Sequence, residues 1–169
     1  MKPLEDLRDL FIHQMKDRYD AETQQLEVYH QLKGRVQSIA LRRVIEICEH
    51  NAEKHLNSLN ELFLELHESE IGDICECSLG MIKEMQLMIE RSTNSNVADM
   101  AIVSTIKQLH SNDVVGYQII LGYAHKVHDE TIMDRLYEIL KNEQDLDIVL
   151  DDTMSRLIEK EMETERVYA

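Results

Sequence analysis

The amino-acid sequence predicts an all-α protein in which four long helices form a bundle. Aromatic residues make up 5% of the 169 residues, and there are five glycines, one proline and no tryptophan. Leucine, glutamate, methionine and isoleucine are abundant, as is typical of helical proteins. Apolar residues recur at helical spacing over stretches of about thirty residues. A chain of this length suits one domain, so we expect residues 1–169 to form a single bundle.

The first two helices are predicted over residues 2–32 and 36–67. In the first, apolar residues such as Phe11 share one face at the helical period, and Gly34 punctuates the segment. In the second, apolar residues such as Leu59 share a face, and the polar stretch ESEIGD ends it. Because only a short turn separates these two helices, they should form an antiparallel hairpin.

Three more helices are predicted over residues 77–91, 96–125 and 130–163. The stretch CSLGMIKEMQLMIER gives a short helix, and STNSN reads as a loop that caps the next one. HKVHDET separates the last two helices, which should form a second hairpin. The connection between the hairpins holds the short helix and is long enough to cross the bundle, as in ferritin-like bundles with one long crossover.

The charge of the chain limits its partners. A net charge of −15 repels the phosphate backbone of nucleic acids and the surface of anionic membranes. The N-terminal MKPLEDLRDLF lacks the apolar stretch of a signal peptide, and no later segment approaches ~20 uncharged apolar residues. Three cysteines, an odd number, argue against a disulfide scaffold and for a reducing compartment. We expect a cytoplasmic protein with no nucleic-acid or membrane partner.

Several polar residues fall inside the predicted apolar faces. At 100° per residue, Glu22 lies at the centre of the first stripe. On the third long helix, His110 and Asp113 lie on the inward side. On the fourth, Glu143 is central and Asp147 follows one turn later. An isolated ionised carboxylate in an apolar core is so unfavourable that it must protonate or find a cation.

The second long helix adds His55 to this set. His55 shares the inward arc with Cys48 and Ala52, and Asn51 lies at its edge. All these polar residues lie near the middle of their helices, and those levels coincide in an up-down bundle. Converging carboxylates and imidazoles form the ligand set of di-iron or di-manganese centres. We therefore predict a metal site formed by Glu22, His55, His110, Asp113, Glu143 and Asp147.

Five stretches of the sequence resemble one known family. EDLRDLFIHQMKDRYDAETQQL resembles the opening of the YciE/YciF-type ferritin-like proteins, whose pattern is F-I-H…L-x-D-x-Y-x-A-E-x-Q-L. CECSLGMIKEM, NVADMAI and DVVGYQ follow in the order of that family, and a final E-x-x-x-D occurs at Glu143 and Asp147. The resemblance implies a dimeric, rubrerythrin-like four-helix bundle, often linked to stress responses, with a site for two metal ions.

The resemblance also assigns the acidic positions. Glu22, Glu143 and Asp147 retain the acidic residues of the family. On the third long helix, the E-x-x-E of the family is replaced by His110 and Asp113, which still supply metal donors.

The second helix departs from the family pattern. Where the family has H-L-E-E-T, this chain aligns as Cys48 and Asn51, and His55 takes a glutamine position. Leu79 stands where the family has another glutamate in the short helix. A single metal ion, an asymmetric pair, zinc occupation and an empty polar core therefore all stay open.

Two functions fit this pattern best, and storage in a ferritin-like cage is a weaker third option. The first is a metalloprotein that binds iron or manganese and reacts with oxygen or peroxide, with Tyr19 or Tyr117 as hydrogen-bond donors near the site. The second is a non-catalytic homodimeric bundle with a degenerate site that acts through a partner. In that case the core carboxylates pair with Arg18, buried waters or tyrosine hydroxyls instead of a metal. The sequence assigns no catalytic residue, and whether the protein is an enzyme stays open.

Overall fold

The protein consists of five α-helices. The computed structural model describes residues 3–127 and 130–168, without the side chains of residues 130, 131 and 164–168. No strand occurs within these ranges, so the prediction of an all-α protein is confirmed. The helices are α1 (Leu7–Leu32), α2 (Ile39–Glu65), α3 (Glu76–Arg91), α4 (Ser95–Val127) and α5 (Glu130–Tyr168).

Side-chain caps explain why the first two helices begin later than predicted. Residue 2, the predicted start of the first helix, lies outside the described residues. The helix begins at Leu7, because the Asp6 carboxylate accepts a hydrogen bond from the backbone N–H of Asp9 at 2.8 Å. The second helix begins after Ser38, whose hydroxyl accepts from the backbone N–H of Leu41 at 3.2 Å. Side-chain capping therefore fixes where these two helices begin, whereas the spacing of apolar residues defines their ends only to within a few residues.

The start of α2 is also held from the other half of the bundle. The buried carboxylate of Asp99 on α4 accepts from the backbone N–H of Ser38 at 2.7 Å and from that of Gln37 at 3.2 Å. Ser38 is the N-cap residue of α2 and Gln37 precedes it, so these hydrogen bonds tie the start of α2 to α4. A carboxylate at this end is also favoured by the helix dipole.

The later helices run longer than predicted. The fourth ends at Val127 instead of residue 125, and the fifth continues to Tyr168 instead of residue 163. The predicted break in HKVHDET falls partly on residues 128 and 129, which lie outside the described residues.

The packing order matches a ferritin-like bundle. α1 packs against α2 and α4, and α5 packs against α4 and α2, while α3 lies on the outside against α4 and α1. The backbone N–H of Cys75 at the start of α3 donates to Asp20 of α1 at 2.7 Å, which fixes the crossover to the bundle. The predicted four-helix bundle with an extra short helix in its crossover is confirmed.

Two apolar clusters fill the two ends of the bundle. The first apolar cluster is built around Phe11, Met15, Leu59, Phe63, Tyr117, Ile120 and Leu136. The second apolar cluster is built around Val28, Leu41, Ile45, Ile106, Leu109, Leu146 and Leu150. α1 and α5 run from the first to the second, and α2 and α4 run the opposite way. α2 and α4 are therefore parallel, which is why a long crossover must join them.

Between the two clusters lies a layer of buried polar side chains. Each of the four long helices changes from one cluster to the other at its middle, and there each contributes polar residues. We call this set the polar layer: Glu22, His55, His110, Asp113 and Glu143. The mid-helix level inferred from the sequence is thus the level at which these five side chains meet.

Candidate metal centre

Three members of the polar layer come together from three helices. Glu22 of α1, His55 of α2 and Glu143 of α5 are 2%, 1% and 6% exposed. One donor atom from each lies within 4.8 Å of the others. His55 Nδ1 lies 3.0 Å from Glu22 Oε1 and 3.4 Å from Glu143 Oε1. This group of one imidazole and two carboxylates is the candidate metal centre.

Two further side chains hold the carboxylates of this group. The hydroxyl of Tyr117 donates to Glu22 Oε1 at 2.8 Å. His110 Nδ1 lies 2.7 Å from Glu143 Oε2. Both Tyr117 and His110 are on α4, so this helix orients the carboxylates supplied by α1 and α5. The expected role of Tyr117 as a hydrogen-bond donor beside the site therefore has a geometric basis.

The outer nitrogens of both histidines are the least satisfied atoms of the site. Nε2 of His55 and Nε2 of His110 are buried and make no hydrogen bond to any residue that the structure describes. Nearby, a cavity of about 10 Å³ is lined by Glu22, Gln25, Tyr29, Cys48, Ala52, His110, Glu143 and Leu146. That volume is roughly what one water molecule or one ion occupies. Buried imidazole nitrogens without partners are unfavourable, so this half of the layer is chemically incomplete.

Burial and charge set the protonation of the groups around the site. Burial opposes the charged form of His55, but the carboxylates of Glu22 and Glu143 outweigh it, so the pKa of His55 is raised. Burial and the neighbouring Glu22 raise the pKa of Tyr117 well above its usual value, which keeps its hydroxyl a donor. Burial, and then the charge of Glu143, raise the pKa of the Cys48 thiol, which stays protonated.

Asp113 is buried as predicted, but its oxygens already have protein partners. Oδ1 accepts from Arg18 Nη1 at 2.6 Å, and Oδ2 accepts from Gln25 Nε2 at 2.7 Å. Burial, and then the charges of Glu22 and Glu143, raise the pKa of Asp113 well above its usual value, although Arg18 and Gln25 act in the opposite direction. The guanidinium of Arg18 and the amide of Gln25 both donate to these oxygens, which favours the charged form of the carboxyl group. Asp113 therefore belongs to an internal ion pair and not to the group around His55.

The predicted inward position of Asp147 is corrected by the structure. Its side chain is 53% exposed and lies 3.2 Å from the ammonium group of Lys107. Four residues turn a helix by about 400°, so Asp147 lies about 40° around the axis from Glu143. That rotation carries it from the core to the edge of α5, where it faces Lys107 of α4. Its nearest approach to His110 is 3.8 Å, at Nε2.

Sequence reasoning missed the importance of Arg18 and Gln25. Both are buried, and they stand four residues before and three residues after Glu22, so they share its face of α1. The signal was the spacing itself, which places three polar side chains on one inward stripe. Arginine at the edge of a stripe usually extends to solvent, which is why it was considered only as a pairing partner.

No helix in the described part of the chain combines the length and the apolar character needed to cross a membrane.

Comparison with known proteins places this fold in a family. Residues 6–163 match the family described as "Domain of unknown function (DUF892)". Protein YciF of Escherichia coli strain K12 is 20% identical over 161 residues, which cover 95% of this chain and 97% of that protein.

Two solved structures share the fold. The crystal structure of the E. coli stress protein YciF superposes with a TM-score of 0.87 at 20% identity, covering 93% of this chain and 99% of that one. YcfI from Rhodopseudomonas palustris superposes with a TM-score of 0.84 at 21% identity, covering 89% and 96%. The resemblance drawn from the sequence is confirmed, and the chain belongs to the DUF892 family, the YciF-type proteins.

Proposed function

We propose that this protein binds one divalent metal ion, iron or manganese, in the core of the bundle. Glu22, His55 and Glu143 would be its ligands. The observation that carries the proposal is the approach of their donor atoms to within 4.8 Å in a buried site. Two carboxylates and an imidazole suit first-row divalent ions, with zinc as a competitor for the same donors.

The donor set fits one ion better than two. Di-iron bundles use four carboxylates and two histidines that converge on one cavity. Here Asp113 is held by Arg18 and Gln25, and Asp147 lies at the surface. The remaining carboxylates, Glu22 and Glu143, carry two negative charges, which one divalent ion balances. We therefore propose a single-ion centre instead of the two-ion centre that the family resemblance implies.

An entering ion would compete with protons. Without an ion, the two carboxylates lie within hydrogen-bonding distance of the imidazoles of His55 and His110. A metal ligand histidine must be neutral, so binding releases the proton that the raised pKa of His55 holds in place. Ion affinity should therefore rise with pH through the range in which His55 loses its proton.

The chain supplies a dry and oriented setting for this ion. A bound iron or manganese ion would supply reactivity toward oxygen or peroxide. Tyr117 and His110 fix the rotamers of Glu22 and Glu143, while the two apolar clusters keep bulk water from the layer. The E. coli relative is described as a stress protein, and we extend a stress-related role in the cytoplasm to this chain as part of the proposal.

Metal content per chain tests the proposal. Tag-free protein is loaded with ferrous iron or Mn(II), desalted, and measured by elemental mass spectrometry. We expect about one ion per chain, and loss of that ion in Glu143→Ala. Glu138→Ala, which changes an exposed glutamate on the same helix, is the matched control and should keep the ion. Equal retention by both variants would contradict the assignment of Glu143.

A second candidate function is a non-catalytic dimer with a degenerate site. The observation in its favour is that each carboxylate near the candidate centre already has a protein partner. On this reading the polar layer is structural, the purified protein retains no ion, and chelation leaves the melting temperature unchanged. Retained metal that raises the melting temperature would reject it.

We also propose that the chain forms a homodimer, as its family resemblance implies. The external groove between α4 and α5, about 550 Å³ in volume, is the candidate surface, since it exposes Tyr137 beside Leu121 and Met133. Light scattering coupled to size-exclusion chromatography measures the mass directly. A mass of one chain at micromolar concentration would reject the dimer.

A further inference from the structure

Arg18 is a buried internal cation that pairs with two carboxylates. It is 4% exposed and stands one turn before Glu22 on α1. Its Nη1 donates to Asp113 Oδ1 at 2.6 Å, its Nη2 donates to Asp17 at 2.9 Å, and Nη2 also lies 3.6 Å from Cys75 Sγ. The guanidinium thus joins α1, α4 and the start of α3 at one point beside the polar layer.

On the facing helix, α4, a glycine leaves room for the side chain of Arg18. A Cβ atom at Gly116 of α4 would lie 2.8 Å from Arg18 Cδ and 3.0 Å from its Nε. Any larger residue at position 116 would therefore push the arginine stem away from α4. The glycine at position 116 therefore leaves the space in which the side chain of Arg18 is buried.

Asp113, the partner of Arg18, borders the candidate metal centre. Gln25, which donates to Asp113 Oδ2 at 2.7 Å, also lines the small cavity with Glu22 and Glu143. Asp113 follows His110 by three residues on the same face of α4. The charges of Glu22 and Glu143 are close enough to raise the pKa of Asp113. Asp113 would thus be the nearest additional carboxylate for a second ion.

We propose that Arg18 takes the place of a second metal ion, because its guanidinium engages Asp113 and limits the polar layer to one divalent ion. This inference rests on the proposed function. The layer contains three carboxylates, those of Glu22, Asp113 and Glu143, and Arg18 balances one of them. One divalent ion balances the other two. A second ion would add positive charge to a buried layer that is already neutral, which is strongly unfavourable.

Removing the charge of Arg18 should open the second position. Arg18→Met keeps an unbranched apolar stem of similar reach but removes the guanidinium. Loaded with Mn(II) and desalted, the wild type should retain about one ion per chain and Arg18→Met about two. Arg18→Lys, which keeps the charge, should stay at about one ion, and so should the double variant Arg18→Met with Asp113→Asn. Electron paramagnetic resonance provides a second readout, since two neighbouring Mn(II) ions give an exchange-coupled spectrum and one does not.

Each outcome separates this inference from the proposed function. One ion in both the wild type and Arg18→Met overturns the role of Arg18 and leaves the single-ion centre standing. No ion in the wild type rejects the proposed function, and this inference, which rests on it, is rejected with it. Two ions in the wild type or in Arg18→Lys overturn the inference. If Arg18→Met fails to fold, Arg18→Gln retains a hydrogen-bond donor toward Asp113, and one ion in that folded variant also overturns it.

Discussion

The two sides of the polar layer stabilise buried carboxylates in different ways. On the Arg18 side, Asp113 receives a hydrogen bond on each oxygen, and the chain itself supplies the balancing charge. On the His55 side, Glu22 and Glu143 face imidazoles whose outer nitrogens make no hydrogen bond to any residue that the structure places. We call the Arg18 side closed, because both oxygens of Asp113 accept hydrogen bonds from cationic or amide side chains, and the His55 side open, because each imidazole keeps a buried nitrogen without a hydrogen bond. The difference teaches that burial alone does not identify a metal ligand, because the protein itself can supply the partner of a buried carboxylate.

The largest expected effect comes from breaking the closed side. In metal-free protein, Arg18→Met leaves Asp113 without its cation, and loss of one partner of a buried ion pair costs on the order of 3 to 5 kcal/mol. Urea denaturation measures the free energy of unfolding. Arg8→Met, which removes a half-exposed pair with Glu68, is the matched control and should cost less than about 1 kcal/mol. Similar losses in both variants would show that Arg18 is not a buried counter-ion.

A smaller effect should follow from loosening the open side. Tyr117→Phe removes the 2.8 Å hydrogen bond to Glu22 while keeping the aromatic ring in the first apolar cluster. Loss of a group that orients a ligand usually weakens metal affinity by about 10- to 100-fold. Competition with a chelator measures this affinity. Tyr137→Phe, at an exposed tyrosine of α5, should leave the affinity unchanged, and an equal loss there would reject the role of Tyr117.

The free energy of unfolding should depend on pH through His55, which lies on the open side. In metal-free protein, the pKa of His55 is raised above its value in the unfolded chain. Its stabilising contribution is therefore fully present below about pH 6.5 and is lost as pH rises through the folded-state pKa. The difference in unfolding free energy between the wild type and His55→Gln should accordingly shrink from pH 6 to pH 9. A difference that grows over this range would contradict the imidazolium at His55.

The smallest effect is expected at Asp147. Because its carboxylate is half-exposed and pairs with Lys107 and not with the centre, Asp147→Asn should change the unfolding free energy by less than about 1 kcal/mol. The metal content per chain should stay the same as in the wild type. Loss of the ion in this variant would restore Asp147 to the ligand set and reduce the contrast between the two sides.

Helical periodicity predicted much of the fold and part of the site. It located Glu22, Asp113 and Glu143 inside the bundle because each lies at the centre of a strongly apolar stripe. It failed at Asp147, because a rotation of about 40° around the helix axis separates the core from the edge. The apolar face predicted from a sequence is wider than 40°, so it cannot distinguish these two positions. His55 was placed correctly on the inward arc despite the same difficulty.

The choice of partners could not be read from the sequence. Whether Asp113 faces a metal ion or Arg18 depends on the distance between two side chains separated by 95 positions. A long arginine side chain can extend to solvent or turn into the core from the same backbone position. Only the packing of α1 against α4, with Gly116 at the crossing, determines which of these occurs.

The cap that Asp99 provides for α2 has a consequence for how the molecule unfolds. Two backbone N–H groups at the start of the first hairpin's second helix are satisfied by a carboxylate that belongs to the second hairpin. An isolated α1–α2 hairpin would lose this cap and bury much less of its apolar face. Each hairpin therefore depends on the other for stability, and the bundle should melt in a single cooperative transition and not one hairpin at a time.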